Sequence, residues 1–268
     1  MDLPGRLVLI GHPVAHSLSP AMQNAALRSA GIPLTYETFD VEAGRLARVA
    51  GLLTDANAAG NVTVPHKEAF STLCKSLSPV ADRVRAVNTF WTEDGTLFGD
   101  NTDVGGFNAA VRLHFGLPHD HGIVALLGAG GSAAAVLAAV ERWDGARVRI
   151  FARTSRRASA LAARFARIAT VAPTIEDAVG GASLVVNATP VGLDGPEFPV
   201  DPAILSPGTD VLDLTYRRGE TPWVHACRGR GLRAGDGLAM LVEQGALAFE
   251  RWFGAIPDRD AMWKAARS

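Results

Sequence analysis

Four short segments of the chain carry side chains whose types and spacing could do chemistry. The first is His16-Ser17-Leu18-Ser19-Pro20, between an apolar run and a helical pattern. Ser17 and Ser19 lie two residues apart, so an extended backbone would point both hydroxyls the same way. Two hydroxyls beside a helix N-terminus can hold a carboxylate. Ser19 also fits a helix N-cap, with Pro20 at the first helical position, and the two roles are compatible.

The second segment, Asn61-Val62-Thr63-Val64-Pro65-His66-Lys67, reads as a strand that Pro65 stops. Lys67 then falls at the strand's C-terminal end, where open α/β sheets place ligands. An ammonium buried there needs a partner or a depressed pKa; taken alone, such a lysine is more often solvated. The third segment, Gly99-Asp100-Asn101-Thr102-Asp103, offers that partner. Asp103 either faces Lys67 or caps a helix starting at Val104. Nearby, Asn88 is polar within the apolar run Ala86-Val87-Asn88-Thr89. It either binds a polyol or satisfies local backbone.

The fourth segment, Gly128-Ala129-Gly130-Gly131-Ser132-Ala133, fits Gly-x-Gly-x-x-Gly/Ala. The pattern alone is weak, but here it follows a wholly apolar run, residues 123–127, and opens an Ala-rich helical stretch. That context predicts a pyrophosphate on the helix N-terminus, against the alternative of a plain strand-to-helix turn. The next strand ends at Phe151-Ala152-Arg153-Thr154-Ser155-Arg156-Arg157. An NAD site usually places a carboxylate here for the ribose hydroxyls, and Ala152 supplies none. Arg153 and Arg157 can instead fork onto a 2′-phosphate. Arg156 equally suits a solvated helix start.

The elements that must position these groups alternate. Strands are expected at residues 6–11, 35–40, 59–64, 87–92 and 96–99, the last two flanking an Asp94-Gly95 turn. Helices are expected at residues 20–30, 41–51, 67–73 and 107–115. A polar break at residues 116–122 then leads to strands at 123–127, 147–151, 183–187 and 210–214. Helices are expected at 133–143 and 155–168, and a long amphipathic one at 238–253. The class is α/β, with the last helix packing back on the first part.

Composition permits this. The chain has 268 residues, 48% hydrophobic and 20% charged, enough for one large or two modest domains. Lys+Arg number 26 against Asp+Glu 27, which gives no basic surplus for nucleic acid. Two isolated cysteines, Cys74 and Cys227, make neither a disulfide framework nor a metal quartet, and point to a reducing compartment. The N-terminal apolar run at residues 7–10 is too short for a secretory core. No segment approaches the roughly 18 apolar residues of a membrane span.

Taken together, GHPVAHSLSP, NVTVPHKE, AVNT, GDNTD, GAGGSA, ARTSRR, VNATPVG, DLTY and GLAMLVEQGALAFERW resemble the shikimate dehydrogenase family in order and spacing. They run from Gly11 to Trp252, nearly the whole chain. The resemblance implies two α/β domains with a cleft between them: a substrate domain (1–103), a Rossmann-like NADP domain (104–237) and a C-terminal helical segment (238–268) returning to the first. It implies a cytoplasmic enzyme, monomer or homodimer, that reduces 3-dehydroshikimate to shikimate with NADPH, with no metal, nucleic acid or membrane partner. By likeness Lys67 and Asp103 are the catalytic pair, and Ser17 and Ser19 bind the substrate carboxylate with Tyr216 nearby. Thr63, Asn88 and Gln244 bind ring hydroxyls. Gly128, Ala129, Gly130, Gly131 and Ser132 cradle the pyrophosphate, Arg153, Thr154 and Arg157 take the 2′-phosphate, and Leu214 and Gly237 line the nicotinamide pocket. The alternatives are a quinate or aminoshikimate dehydrogenase of the same fold, or a catalytically silent NADP-binding regulator. In the family, threonine at the second serine position accompanies quinate use.

The chain departs from the usual family pattern at several points. Arg85 replaces a glycine, Gln23 a histidine, Pro79 an acidic residue, Ala152 an asparagine, and Arg217-Arg218 an Asn-Pro pair.

Overall fold

The computed structural model describes residues 3–116 and 118–268. Leu117, within the expected polar break, lies outside the described residues. The chain forms two compact units: residues up to Gly106 together with Leu241–Ser268, and Phe107–Met240.

The first stretch runs β1 (Arg6–Gly11), α1 (Ser19–Ser29), β2 (Tyr36–Asp40), α2 (Leu46–Asp55), β3 (Ala58–Val62), α3 (Lys67–Ser71), β4 (Ser76–Leu77), α4 (Pro79–Val84), β5 (Thr89–Glu93), β6 (Thr96–Asp100) and α5 (Asp103–Phe115). Its sheet has the order β2-β1-β3-β5-β6-β4. β1 pairs parallel with β2 and β3, whereas β5 runs antiparallel to both β3 and β6. Val8, Ile10, Val62, Phe70 and Phe90 are all buried in its core.

The second stretch runs β7 (Ile123–Leu127), α6 (Gly131–Val140), β8 (Arg147–Phe151), α7 (Ser155–Arg164), β9 (Ala169–Val171), α8 (Ile175–Val179), β10 (Leu184–Asn187), β11 (Asp210–Asp213), α9 (Pro222–Gly229) and β12 (Ala234–Gly235). Its sheet is parallel throughout, in the order β12-β11-β10-β7-β8-β9. Read from the other edge and renumbered within the unit, that is the doubly wound order 3-2-1-4-5-6. Its switch point falls between β7 and β10, so the ends of those strands are where a dinucleotide is expected. The central strands β7 and β10 are buried along almost their whole length, which is why IVALL and LVV read as apolar runs.

Two further helices follow, α10 (Leu238–Phe253) and α11 (Arg259–Arg267). From Leu241 onward they belong to the first unit. Trp252 Nε1 donates to Phe90 O at 3.2 Å, and Gln23 Nε2 donates to Gly245 O at 2.9 Å.

Several expected bounds shift. The strand expected at 59–64 ends at Val62, and the helix expected at 41–51 forms as α2 after a short 3-10 turn at Ala43–Arg45. The helix expected at 155–168 stops at Arg164, because Phe165 leaves helical geometry at φ −117°, ψ 36°. The helix expected at 107–115 starts four residues sooner, so Asp103 sits in its first turn rather than capping it.

Candidate active site

In the first unit, the chain brings Lys67 and Asp103 together. Pro65 ends the strand pairing after β3, and α3 begins at Lys67 itself. His66, 1% exposed, pins this turn by bonding through Nε2 to Val41 O at 2.5 Å. The Lys67 carbonyl accepts from Val87 N–H at 2.9 Å. With the backbone held on both sides, Lys67 Nζ donates to Asp103 Oδ2 at 2.6 Å. The two side chains are 13% and 4% exposed, so the ammonium has the partner its burial requires.

Asp103's other oxygen is taken by Asn88, whose Nδ2 donates to Asp103 Oδ1 at 2.8 Å. The same nitrogen lies 2.9 Å from Thr102 Oγ1 and 3.1 Å from Gln244 Oε1. Asn88 Oδ1 accepts from Thr102 N–H at 2.7 Å. Behind it, Tyr36 Oη donates to Asn61 Oδ1 at 2.7 Å, and Asn61 Nδ2 donates to Asn88 O at 3.0 Å. Tyr36, Asn61 and Thr102 thus build the site, although their sequence context assigns them no role. The signal for Asn61 is a polar residue inside an apolar strand, the same signal that singles out Asn88.

The serine segment departs from expectation. Leu18, not Ser19, is the N-cap of α1, with helical angles of φ −80° and ψ −9° and no side-chain cap bond. The backbone between the serines is therefore turned, not extended. Ser17 Oγ accepts from Ser19 N–H at 3.2 Å. Ser19 sits at the first position of the helix, 6% exposed, with its hydroxyl released from capping. Thr63, half-buried, follows β3 and donates its N–H to Ile10 O at 2.8 Å. Lys67, Asp103, Asn88 and Gln244 thus form one hydrogen-bonded cluster; Ser17, Ser19 and Thr63 stand on separate segments of the same unit.

In the second unit, the glycine segment links β7 to α6. Gly128 adopts φ +118°, and a β-carbon there would stand 2.7 Å from Ala188 O at the end of β10. Only glycine fits that turn. Gly130 is the N-cap of α6, and a β-carbon on it would meet nothing within 4 Å. The first N–H to bond back is Ala134, to Gly130 O at 3.0 Å. The N–H groups of Gly131, Ser132 and Ala133 therefore lie at the positive end of a ten-residue helix with no intrahelical acceptor. Such a donor set fits a pyrophosphate.

One strand over, Leu127 pairs with Phe151 at the end of β8, and Arg153 and Thr154 follow. Arg153, Thr154, Arg156 and Arg157 are exposed, and among the described residues the three arginines make no side-chain hydrogen bond or ion pair. These cations are free to meet a phosphate.

On the other side, β10 and β11 end in register at Asn187 and Asp213. Both are fully buried. Asn187 Nδ2 donates to Asp213 Oδ1 at 2.8 Å, and Thr215 N–H and Thr221 Oγ1 donate to the same carboxylate at 3.0 and 2.8 Å. Burial raises the Asp213 pKa, and these donors oppose the rise. The network fixes the backbone from Leu214 to Tyr216: Leu214 N–H donates to Asn187 O, and Gly237 N–H donates to Thr215 O, both at 2.9 Å. Asn187 and Asp213 are further residues whose part the sequence does not disclose. Among the described residues no cluster of His, Cys, Asp or Glu is placed to hold a metal ion, and no helix is long and apolar enough to cross a membrane.

A mixed-sheet unit carrying a buried lysine–aspartate pair, and a parallel unit with an open glycine-turn helix end, define a two-unit α/β protein of the dinucleotide-binding class. Residues 9–90 match the shikimate dehydrogenase substrate binding domain, and residues 237–267 match the shikimate 5'-dehydrogenase C-terminal domain. An NADP(+) shikimate dehydrogenase of Thermus thermophilus is 43% identical over 98% of this chain and 97% of its own length. The crystal structure of shikimate 5-dehydrogenase from another strain of Thermus thermophilus, in complex with NADP(H) and shikimate, is 40% identical, covers 99% of both chains and superposes with a TM-score of 0.88. A quinate dehydrogenase from Corynebacterium glutamicum, in complex with NAD, is 28% identical over 98% of this chain and 99% of its own, with a TM-score of 0.87. The chain belongs to the shikimate dehydrogenase family.

Proposed function

We propose that this chain catalyses the reversible, NADP-dependent reduction of 3-dehydroshikimate to shikimate. The observation that carries this reading is the buried Lys67–Asp103 pair, bonded at 2.6 Å and joined through Asn88 to Gln244. A buried ammonium paired with a carboxylate and backed by an amide network is the arrangement a proton-transferring site requires. The match to NADP(+) shikimate dehydrogenases across nearly the whole chain supports the substrate and cofactor.

A bound nicotinamide would supply the hydride chemistry of this reduction. The protein must supply the proton and hold the ring. Lys67 stabilises the charge that develops on the ketone oxygen and donates the proton. Asp103 orients the ammonium and accepts from a neighbouring hydroxyl. Asn88, Gln244 and Thr63 bind ring hydroxyls, and Ser17 and Ser19 hold the carboxylate. Gly128, Ala129, Gly130, Gly131 and Ser132 would hold the pyrophosphate, Arg153, Thr154 and Arg157 the 2′-phosphate, and Leu214 and Gly237 the nicotinamide. The enzyme is cytoplasmic, in keeping with two free cysteines, and works as a monomer or homodimer.

The test is NADPH consumption on adding 3-dehydroshikimate to the purified protein. Turnover that disappears in Lys67→Ala supports the reading; no turnover by wild type overturns it.

A further inference from the structure

The loops that leave β10 and β11 are tied together at two levels. At the base, Asn187 binds Asp213 and also donates to Val191 O at 3.1 Å. At the crest, Arg217 reaches across: its Nη2 lies 2.6 Å from Gly192 O, 2.7 Å from Gly195 O and 3.1 Å from Leu193 O. One guanidinium nitrogen thus gathers the carbonyls of a turn that contains two glycines and would otherwise have many conformations. The gathered loop carries Val191, 36% exposed, and Leu193, 41% exposed. Both loops leave the C-terminal ends of strands on the β10 side of the switch point, opposite the arginines that follow β8.

We infer that Arg217 is a positioning residue for the nicotinamide half of the cofactor. It holds the loop at residues 191–195 so that an apolar wall flanks the nicotinamide next to Leu214. It acts through that loop and touches neither cofactor nor substrate. The inference rests on the dinucleotide reading given above. It also assigns work to an arginine that departs from the family's usual residue.

The roles of Arg217 and of Arg153 separate cleanly in binding. Removing Arg217 loosens the nicotinamide end, which NADPH and NADH share. Removing Arg153 loosens only the 2′-phosphate end. Titration by nicotinamide fluorescence should show Arg217→Ala binding NADPH and NADH each about five- to tenfold more weakly, equivalent to roughly 1–1.4 kcal/mol. The same variant should bind 2′-phospho-ADP-ribose, which lacks the nicotinamide, as wild type does. Digestion with chymotrypsin should be faster at Leu193 in the variant. Arg217→Lys, which keeps a donor, should recover part of the loss. Unchanged NADPH binding in Arg217→Ala, or an equal loss for 2′-phospho-ADP-ribose, overturns the assignment. If wild type itself binds no NADPH, the cofactor reading fails instead.

Discussion

Lys67 and Asp103, 36 residues apart in sequence, meet at 2.6 Å, and Asp103's second oxygen is held by Asn88 at 2.8 Å. The carboxylate therefore accepts from donors on both sides, which fixes the ammonium rather than merely neutralising it. General acid–base assistance is worth about 10²–10⁴-fold. Lys67→Ala should lower kcat of shikimate oxidation by about that range, with a much smaller change in KM, since an interaction made in the transition state lowers kcat and kcat/KM together. Steady-state kinetics on a variant with native circular dichroism checks this. A near-normal kcat would remove Lys67 from the chemistry.

Arg153 is exposed and carries no ion pair among the described residues, so no neighbouring carboxylate competes for it. Charge-assisted contacts to a 2′-phosphate are worth roughly 1.5–3 kcal/mol each, less where solvent screens them. Arg153→Ala should raise KM for NADP by about tenfold, the equivalent of about 1.4 kcal/mol, and leave KM for NAD nearly unchanged. Equal weakening of both cofactors would show that this cluster does not read the 2′-phosphate.

Arg85 caps α4 in the left-handed region, at φ 52° and ψ 40°. The usual glycine of the family suits that geometry, whereas an L side chain is strained there. Arg85 is exposed, and among the described residues its side chain makes no hydrogen bond or ion pair that would offset the strain. Arg85→Gly should stabilise the protein by about 0.5–1 kcal/mol after the entropy that glycine adds to the unfolded chain. A higher urea midpoint at constant slope is the expected result; a lower midpoint would contradict it.

His12 and Asp40 leave the ends of β1 and β2 and bond at 2.5 Å on the surface. That hydrogen bond raises the His12 pKa and lowers that of Asp40. The raised histidine contributes stability below its unfolded pKa and loses it as pH rises through the folded value. The lowered aspartate contributes above its unfolded pKa and loses it as pH falls through the folded value. The pair therefore persists between the two shifted values. An NMR titration should find the His12 ring raised above its ordinary value, and Asp40→Asn should return it toward that value. An unshifted ring in wild type would dismiss the pair.

Much of this is legible in the chain because parallel strands buried on both faces announce themselves as apolar runs, and because polar residues inside such runs are costly without a purpose. Asn88 stands out on the second ground and the glycine turn on the first, whereas Lys67 is marked by its place at a strand's C-terminal end and Asp103 only as a partner for it. Helix starts are less transparent. Ser19-Pro20 has the composition of a cap, yet the cap falls at Leu18. The same signature at Ser78-Pro79 and Thr221-Pro222 is real: Ser78 Oγ accepts from Ala81 N–H at 3.0 Å, and Thr221 Oγ1 accepts from Val224 N–H at 3.3 Å. Ser78 and Thr221 have extended backbone, with ψ of 157° and 148°, whereas the chain enters α1 already turned. Local composition does not specify that entry; the loop before it does. The short elements α4, α9 and α11 escape a periodicity reading for want of length, although Asp258, which caps α11 by accepting from Ala261 N–H, carries a usable signal. The Asn187–Asp213 tie depends on two strands meeting in register, which only the sheet supplies.

Oxidation of shikimate with NADP is tested most directly by a two-by-two panel, in which absorbance at the nicotinamide band is followed with shikimate or quinate and NADP or NAD. The highest kcat/KM is expected for shikimate with NADP. That value should stand at least about tenfold above shikimate with NAD, for which about 1.4 kcal/mol suffices, and well above quinate with either cofactor. No absorbance change with shikimate and NADP, or comparable kcat/KM for quinate, would contradict it.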